Sequence, residues 1–144
     1  MFKKIAVGTD GSETASRAVE MALDLAGHYG AQLLVFSAYR PVGSARIERE
    51  ADAAPDDVQW MINPHEDVDA VLADVERRAS ARGLHADGFA REGDPAYVLC
   101  ELAEQHEADL LVIGNKGINR RLLGSVPKSV SHNAPCSVVI AKTT

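Results

Sequence analysis

Leu110-Leu111-Val112-Ile113-Gly114-Asn115-Lys116-Gly117-Ile118-Asn119-Arg120-Arg121-Leu122-Leu123-Gly124-Ser125 is the stretch from which the rest of the chain can be read. Its first four residues form an apolar run too short for a helix, the pattern of a strand buried on both faces. Glycines and three basic residues follow. Val126-Pro127-Lys128-Ser129-Val130 then reads as the opening of a helix. Strand, glycine loop and helix start together suit an anion. Glycine lets backbone amides approach closely, and a helix N-terminus turns N–H groups and a positive dipole end toward the ligand.

Working outward, the same alternation recurs. Ile5-Ala6-Val7 gives a first strand within Phe2 to Thr9. Asp10-Gly11-Ser12-Glu13 opens a helix that Asp10 or Ser12 can cap, with Asp10 and Glu13 at capping-box spacing. Ala15, Ala18, Val19, Ala22, Leu25 and Ala26 form its apolar face, and Gly30 ends it. A second buried strand lies within Ala31 to Ala38. The unit is a right-handed parallel crossover. The stretch Tyr39 to Pro64, broken by prolines and rich in charge, reads as a long loop that is a lid, a partner surface or a mobile tether. Glu66 to Arg82 predicts an amphipathic helix closed by Gly83. Ala86 to Glu92, poor in large apolar residues, predicts an edge strand. Asp94 and Pro95 open a further helix carrying Val98, Leu99, Leu102, Ala103 and His106. After the glycine stretch a short helix over Val126 to Ser131 leads to a last strand, Ser137-Val138-Val139-Ile140-Ala141. The expected fold is α/β, a parallel sheet with helices on both faces.

Composition narrows the functions. A chain of 144 residues fits one domain, 1–144, and 46% apolar residues can fill a core without staples. A net charge of −6 argues against a nucleic-acid partner and requires an anionic ligand to be attracted locally. Cys100 and Cys136 form no metal-type cluster and read as reduced, buried thiols in a cytoplasmic protein. No apolar stretch is long enough to span a membrane.

In an open parallel sheet, ligands sit at the carboxyl ends of strands where the strand order reverses. Two turns suit that place: Gly8-Thr9-Asp10-Gly11-Ser12 and the glycine stretch. Both flank one crevice if the five strands run in the order 3-2-1-4-5. Gly-Lys-Ser/Thr is absent, so a P-loop is not expected, and no catalytic triad is recognisable by spacing.

The pairing of Val7-Gly8-Thr9-Asp10-Gly11-Ser12 with Val112-Ile113-Gly114-Asn115-Lys116-Gly117 and Leu122-Leu123-Gly124-Ser125-Val126-Pro127 resembles the universal stress protein family. The ending Ala134-Pro135-Cys136-Ser137-Val138-Val139-Ile140 also resembles that family's last strand. The resemblance implies a five-stranded sheet in the order above, of the adenine nucleotide alpha hydrolase-like type. It also implies a stress-response or signalling protein that binds an adenine nucleotide, ATP first, without efficient catalysis. By resemblance, Thr9 and Asp10 lie at the ribose and adenine end, and backbone around Ala38 meets the adenine edge. Gly114, Gly117, Gly124 and Ser125 hold phosphates, with Ile113 and Val126 beside them. Lys116, Arg120 and Arg121 can pair with phosphate, and Asp10 can hold Mg2+ that accompanies the nucleotide.

One departure matters. Six residues, Ile118 to Leu123, separate Gly117 from Gly124, where the family's nucleotide-binding pattern has nine. The shorter spacer bears on triphosphate geometry more than on adenosine, and leaves AMP, cyclic AMP or an empty site open. The bland readings stay beside the sharp ones. Asp10 can be only a helix cap, the glycines only turn residues, and Arg120 with Arg121 only a solvated pair. Two other functions stay open: an interaction protein with a degenerate site, and a slow ATP hydrolase. The last strand, Ser137–Ala141, is an apolar edge in this order and predicts a homodimer through strand pairing.

Overall fold

The structure, a computed structural model, describes residues 1–40, 63–115 and 124–142. The elements are β1 (Lys4–Gly8), α1 (Glu13–Tyr29), β2 (Gln32–Arg40), β3 (Asn63–Pro64), α2 (His65–Ala81), β4 (Ala86–Glu92), α3 (Pro95–Gln105), β5 (Leu110–Asn115), α4 (Ser125–Asn133) and β6 (Ser137–Lys142). Five of these strands form a parallel sheet in the order β4-β2-β1-β5-β6, the expected 3-2-1-4-5. The two-residue β3 adds a short rung beside the C-terminal end of β2, pairing Asn63 with Tyr39. Most of the loop expected over Tyr39 to Pro64 lies outside the described residues. Its ends do not behave as loop, because Tyr39 and Arg40 complete β2 and Asn63 and Pro64 make β3.

The core divides into two layers. Ile5, Val7, Leu33, Val35 and Val112 face α1 and α2, packing on Val19, Leu23, Leu72 and Val75. Ala6, Leu34, Phe36, Leu111 and Ile113 face α3 and α4, packing on Leu99, Leu102, Val126 and Val130. Alternate strand residues point to opposite faces, so an all-apolar strand such as Leu110 to Ile113 is what a sheet covered on both sides demands. Each such side chain contributes about 1.5–3 kcal/mol when fully buried.

Local chemistry sets the element ends. Ser12, not Asp10, caps α1: its hydroxyl accepts the Ala15 amide at 3.1 Å. Asp10 instead accepts the Ser12 amide at 2.9 Å, which shapes the turn ahead of the helix. Gly30 ends α1 in the left-handed conformation at φ 63°. Asp94 caps α3 through the Tyr97 amide at 3.1 Å, with Pro95 following as expected. Helix α4 runs two residues past the expected end, to Asn133, whose side-chain amide donates to the Ser129 carbonyl at 2.9 Å. Between α1 and α2, Arg78 pairs with Glu20, and Arg82 with Glu20 and Asp24.

The thiols correct one expectation. Cys100 and Cys136 are free but half-buried, each lying at the margin of the α3–α4 layer. His106 is the C-cap of α3 and stacks on Phe89 with ring centres 4.0 Å apart, a boundary role.

Candidate functional site

Parallel pairing brings two strand ends together. β1 lies between β2 and β5, with Gly8 opposite Phe36 and Val7 opposite Val112. These neighbours are connected on opposite sides of β1, which makes the carboxyl end of β1 and β5 the point where the strand order reverses. The helices that follow them, α1 and α4, cover opposite faces.

The first half of the site is the turn after β1. The Thr9 amide donates to the Phe36 carbonyl at 3.0 Å and buries Thr9 to 2% exposure. The Thr9 hydroxyl accepts the Gly11 amide at 3.1 Å. Gly11 adopts φ +83°, and a Cβ there would sit 2.8 Å from Val71 Cγ2 of α2. Gly8 is equally confined, since a Cβ would meet Leu99 at 2.9 Å. The carboxylate of Asp10 is therefore aimed by a turn in which neighbouring residues on both sides are hydrogen-bonded. Ala38, on β2 past Phe36, is buried.

The second half is the end of β5 and the start of α4. Ile113 is fully buried, one of its methyls 3.5 Å from where a Gly8 Cβ would stand, so the two halves touch. Gly114 and Asn115 extend β5 beside Ala141 and Lys142 of β6. Gly124 is the N-cap of α4, and Ser125 and Val126 are its first two helical residues. The side-chain oxygen of Asn115 accepts the Gly124 amide at 3.0 Å in a buried bond. Lys116, Gly117, Arg120 and Arg121 lie outside the described residues.

The structure thus brings together Thr9, Asp10, Ala38, Ile113, Gly114, Gly124, Ser125 and Val126 at one end of the sheet. Asn115 was not among the expected residues. Its bond to the amide of the helix-capping Gly124, nine positions later, is what identifies it.

Two hollows border this region. One, of about 250 Å3, opens between α1 and α2 and is lined by Thr9, Gly11, Ser12, Val71, Asp74 and Arg78 among others. Of the described residues expected in the site, Thr9 alone lies on its wall. The other, of about 390 Å3, is a shallow groove along the polar face of α4, from Ser125 through Lys128 and His132 to Asn133. Among the described residues no group of three or more His, Cys, Asp or Glu is placed to hold a metal ion. No helix there is long and apolar enough to cross a membrane.

Comparison with known proteins gives a consistent outcome. The model of the universal stress protein family matches residues 1–142. Universal stress protein Rv1636 of Mycobacterium tuberculosis is 37% identical over 147 residues, covering 99% of this chain and 98% of that protein. A universal stress protein whose crystal structure is a complex with cAMP superposes with a TM-score of 0.74 at 32% identity, covering 99% of this chain and 98% of that one. A family protein from Arabidopsis thaliana with AMP bound shares the fold at a TM-score of 0.72 and 18% identity, covering 99% and 92%. The sheet order and helix placement are those of the adenine nucleotide alpha hydrolase-like fold. With the family model matched almost end to end, and a relative 37% identical over nearly the whole of both chains, the chain belongs to the universal stress protein family.

Proposed function

We propose that this protein binds an adenine nucleotide across the ends of β1 and β5 and acts as a stress-response or signalling protein by binding rather than by turnover. The observation that carries this reading is the close approach of the ends of β1 and β5, where Ile113 lies against Gly8. Thr9-Asp10-Gly11-Ser12 and the Gly124–Val126 helix start flank one strand-order reversal, and the first offers a carboxylate while the second offers amides and a dipole. Asp10 accepts a ribose hydroxyl, and the backbone near Ala38 meets the adenine edge. Gly114, Ser125 and Val126 hold phosphate, with Ile113 beneath it. Mg2+ arriving with the nucleotide would find its carboxylate in Asp10.

Two observations favour one phosphate, as in AMP or cyclic AMP, over the ATP that the family resemblance suggests first. One is the six-residue spacer between Gly117 and Gly124. The other is the cAMP held by the relative that is 32% identical. A thermal scan with cyclic AMP, AMP, ADP and ATP tests the reading. Ligand at 100 times its dissociation constant adds about 2.7 kcal/mol, a rise of roughly 5–10 °C at this size. The largest rise is expected with AMP or cyclic AMP, and Asp10→Ala should abolish it. No rise with any of the four contradicts the reading.

The same proposal includes a homodimer in the cytoplasm. Among the described residues β6 pairs only with β5, and its Val138, Val139 and Ile140 are half-exposed along that edge. This edge also supports the second reading, an interaction protein in which the strand rather than a ligand carries the function.

A further inference from the structure

We propose that Asn115 is the positioning residue of the phosphate end of the site, closing the connection from β5 to α4 and deciding which amides a phosphate meets. This rests on the nucleotide reading above. Asn115 is the last residue of β5 and only 8% exposed. Its Oδ1 accepts the Gly124 amide at 3.0 Å, joining residues nine apart in the chain. A buried acceptor is costly to leave without its donor, so the bond holds the end of the strand and the start of the helix in one fixed relation.

The bond has a chemical consequence at the helix start. Gly124, the N-cap, has its amide engaged by Asn115 and its carbonyl accepting the Lys128 amide at 3.1 Å. Pro127 carries no N–H. The bond keeps the Gly124 amide from a phosphate approaching α4, which meets the first turn beyond it with the dipole behind. An asparagine can do this where an aspartate would bring a negative charge beside the anion: the amide oxygen accepts from Gly124 without repelling the ligand.

The test uses the whole protein and two readouts. Hydrogen exchange at the Gly124 amide, followed by NMR, reports the bond itself. Dissociation constants for AMP and adenosine report its effect on phosphate. Asn115→Ala should speed Gly124 exchange by at least about tenfold. It should weaken AMP by about tenfold while leaving adenosine unchanged. Asn115→Asp, which keeps an acceptor oxygen, should keep Gly124 exchange slow yet weaken AMP by charge repulsion, and it serves as the test if the alanine variant does not fold. Unchanged Gly124 exchange in Asn115→Ala overturns the proposal. So does a wild-type ratio of AMP to adenosine affinity in Asn115→Ala, or unchanged AMP affinity in Asn115→Asp. Wild-type protein that binds neither AMP nor adenosine overturns the nucleotide reading itself, and the role of Asn115 toward phosphate falls with it. Wild-type AMP binding with an unaltered variant overturns the Asn115 role alone.

Discussion

Gly11 and Val71 are in steric register: a single carbon added to Gly11 would stand 2.8 Å from Val71 Cγ2. The turn after β1 is thus shaped by α2 as well as by its own hydrogen bonds. Gly11→Ala meets both this clash and the strain of φ +83°, and should cost about 1–3 kcal/mol. Val71→Ala in the same chain removes the clash but not the strain, so the double variant should recover part of the loss. Urea denaturation of the two single variants and the double variant measures this. Additive losses would contradict the contact.

Asp109 ties the start of β5 to the start of β1. Its carboxylate accepts the Lys3 amide at 2.8 Å and the Lys4 amide at 2.9 Å. These bonds, Lys4's foremost, hold the Asp109 carboxyl below the usual carboxylate range. A depressed folded-state pKa adds stability above the unfolded value and loses it as pH falls through the folded one. Stability should therefore decline below about pH 4, and Asp109→Asn should show a flatter acid limb. Because the group is solvent-exposed the effect is small. Parallel acid limbs for the two proteins would count against it.

Burial pushes the thiols of Cys100 and Cys136 above the ordinary cysteine range. The thiolate is the reactive form. Both should label slowly with a thiol reagent at pH 7 in the native protein and rapidly after denaturation. Fast native labelling at neutral pH would contradict their placement at the margin of the α3–α4 layer.

The open edge at β6 predicts a dimer by sedimentation, broken by Val139→Asp. The half-exposed Val139 also packs on the α1–α2 layer, so the variant's melting must be measured beside its mass. A folded variant that keeps the wild-type mass would place any interface elsewhere.

The sheet was legible because its signal is one of continuity. Ile5-Ala6-Val7, Leu33 to Phe36 and Leu110 to Ile113 read as strands covered on both faces, and the sheet order follows from the need to bring both turns to one crevice. The turn after β1 was legible because glycine and aspartate at a strand end point to a backbone need. The capping atom was not: Asp10 and Ser12 are both good caps, and only the Ser12 hydroxyl reaches the Ala15 amide. Asn115 was missed because its role depends on a partner nine residues away that sequence spacing does not reveal. β3 was missed because two residues carry no periodicity.

The central claim is that one nucleotide spans both turns, and amide chemical shifts on titrating AMP into the isotopically labelled protein test it most directly. The account predicts that Thr9 to Ser12 and Ser125 to Val126 shift together with a single dissociation constant. Shifts confined to one turn, or gathered around Asp74 and Arg78 in the hollow between α1 and α2, would contradict it.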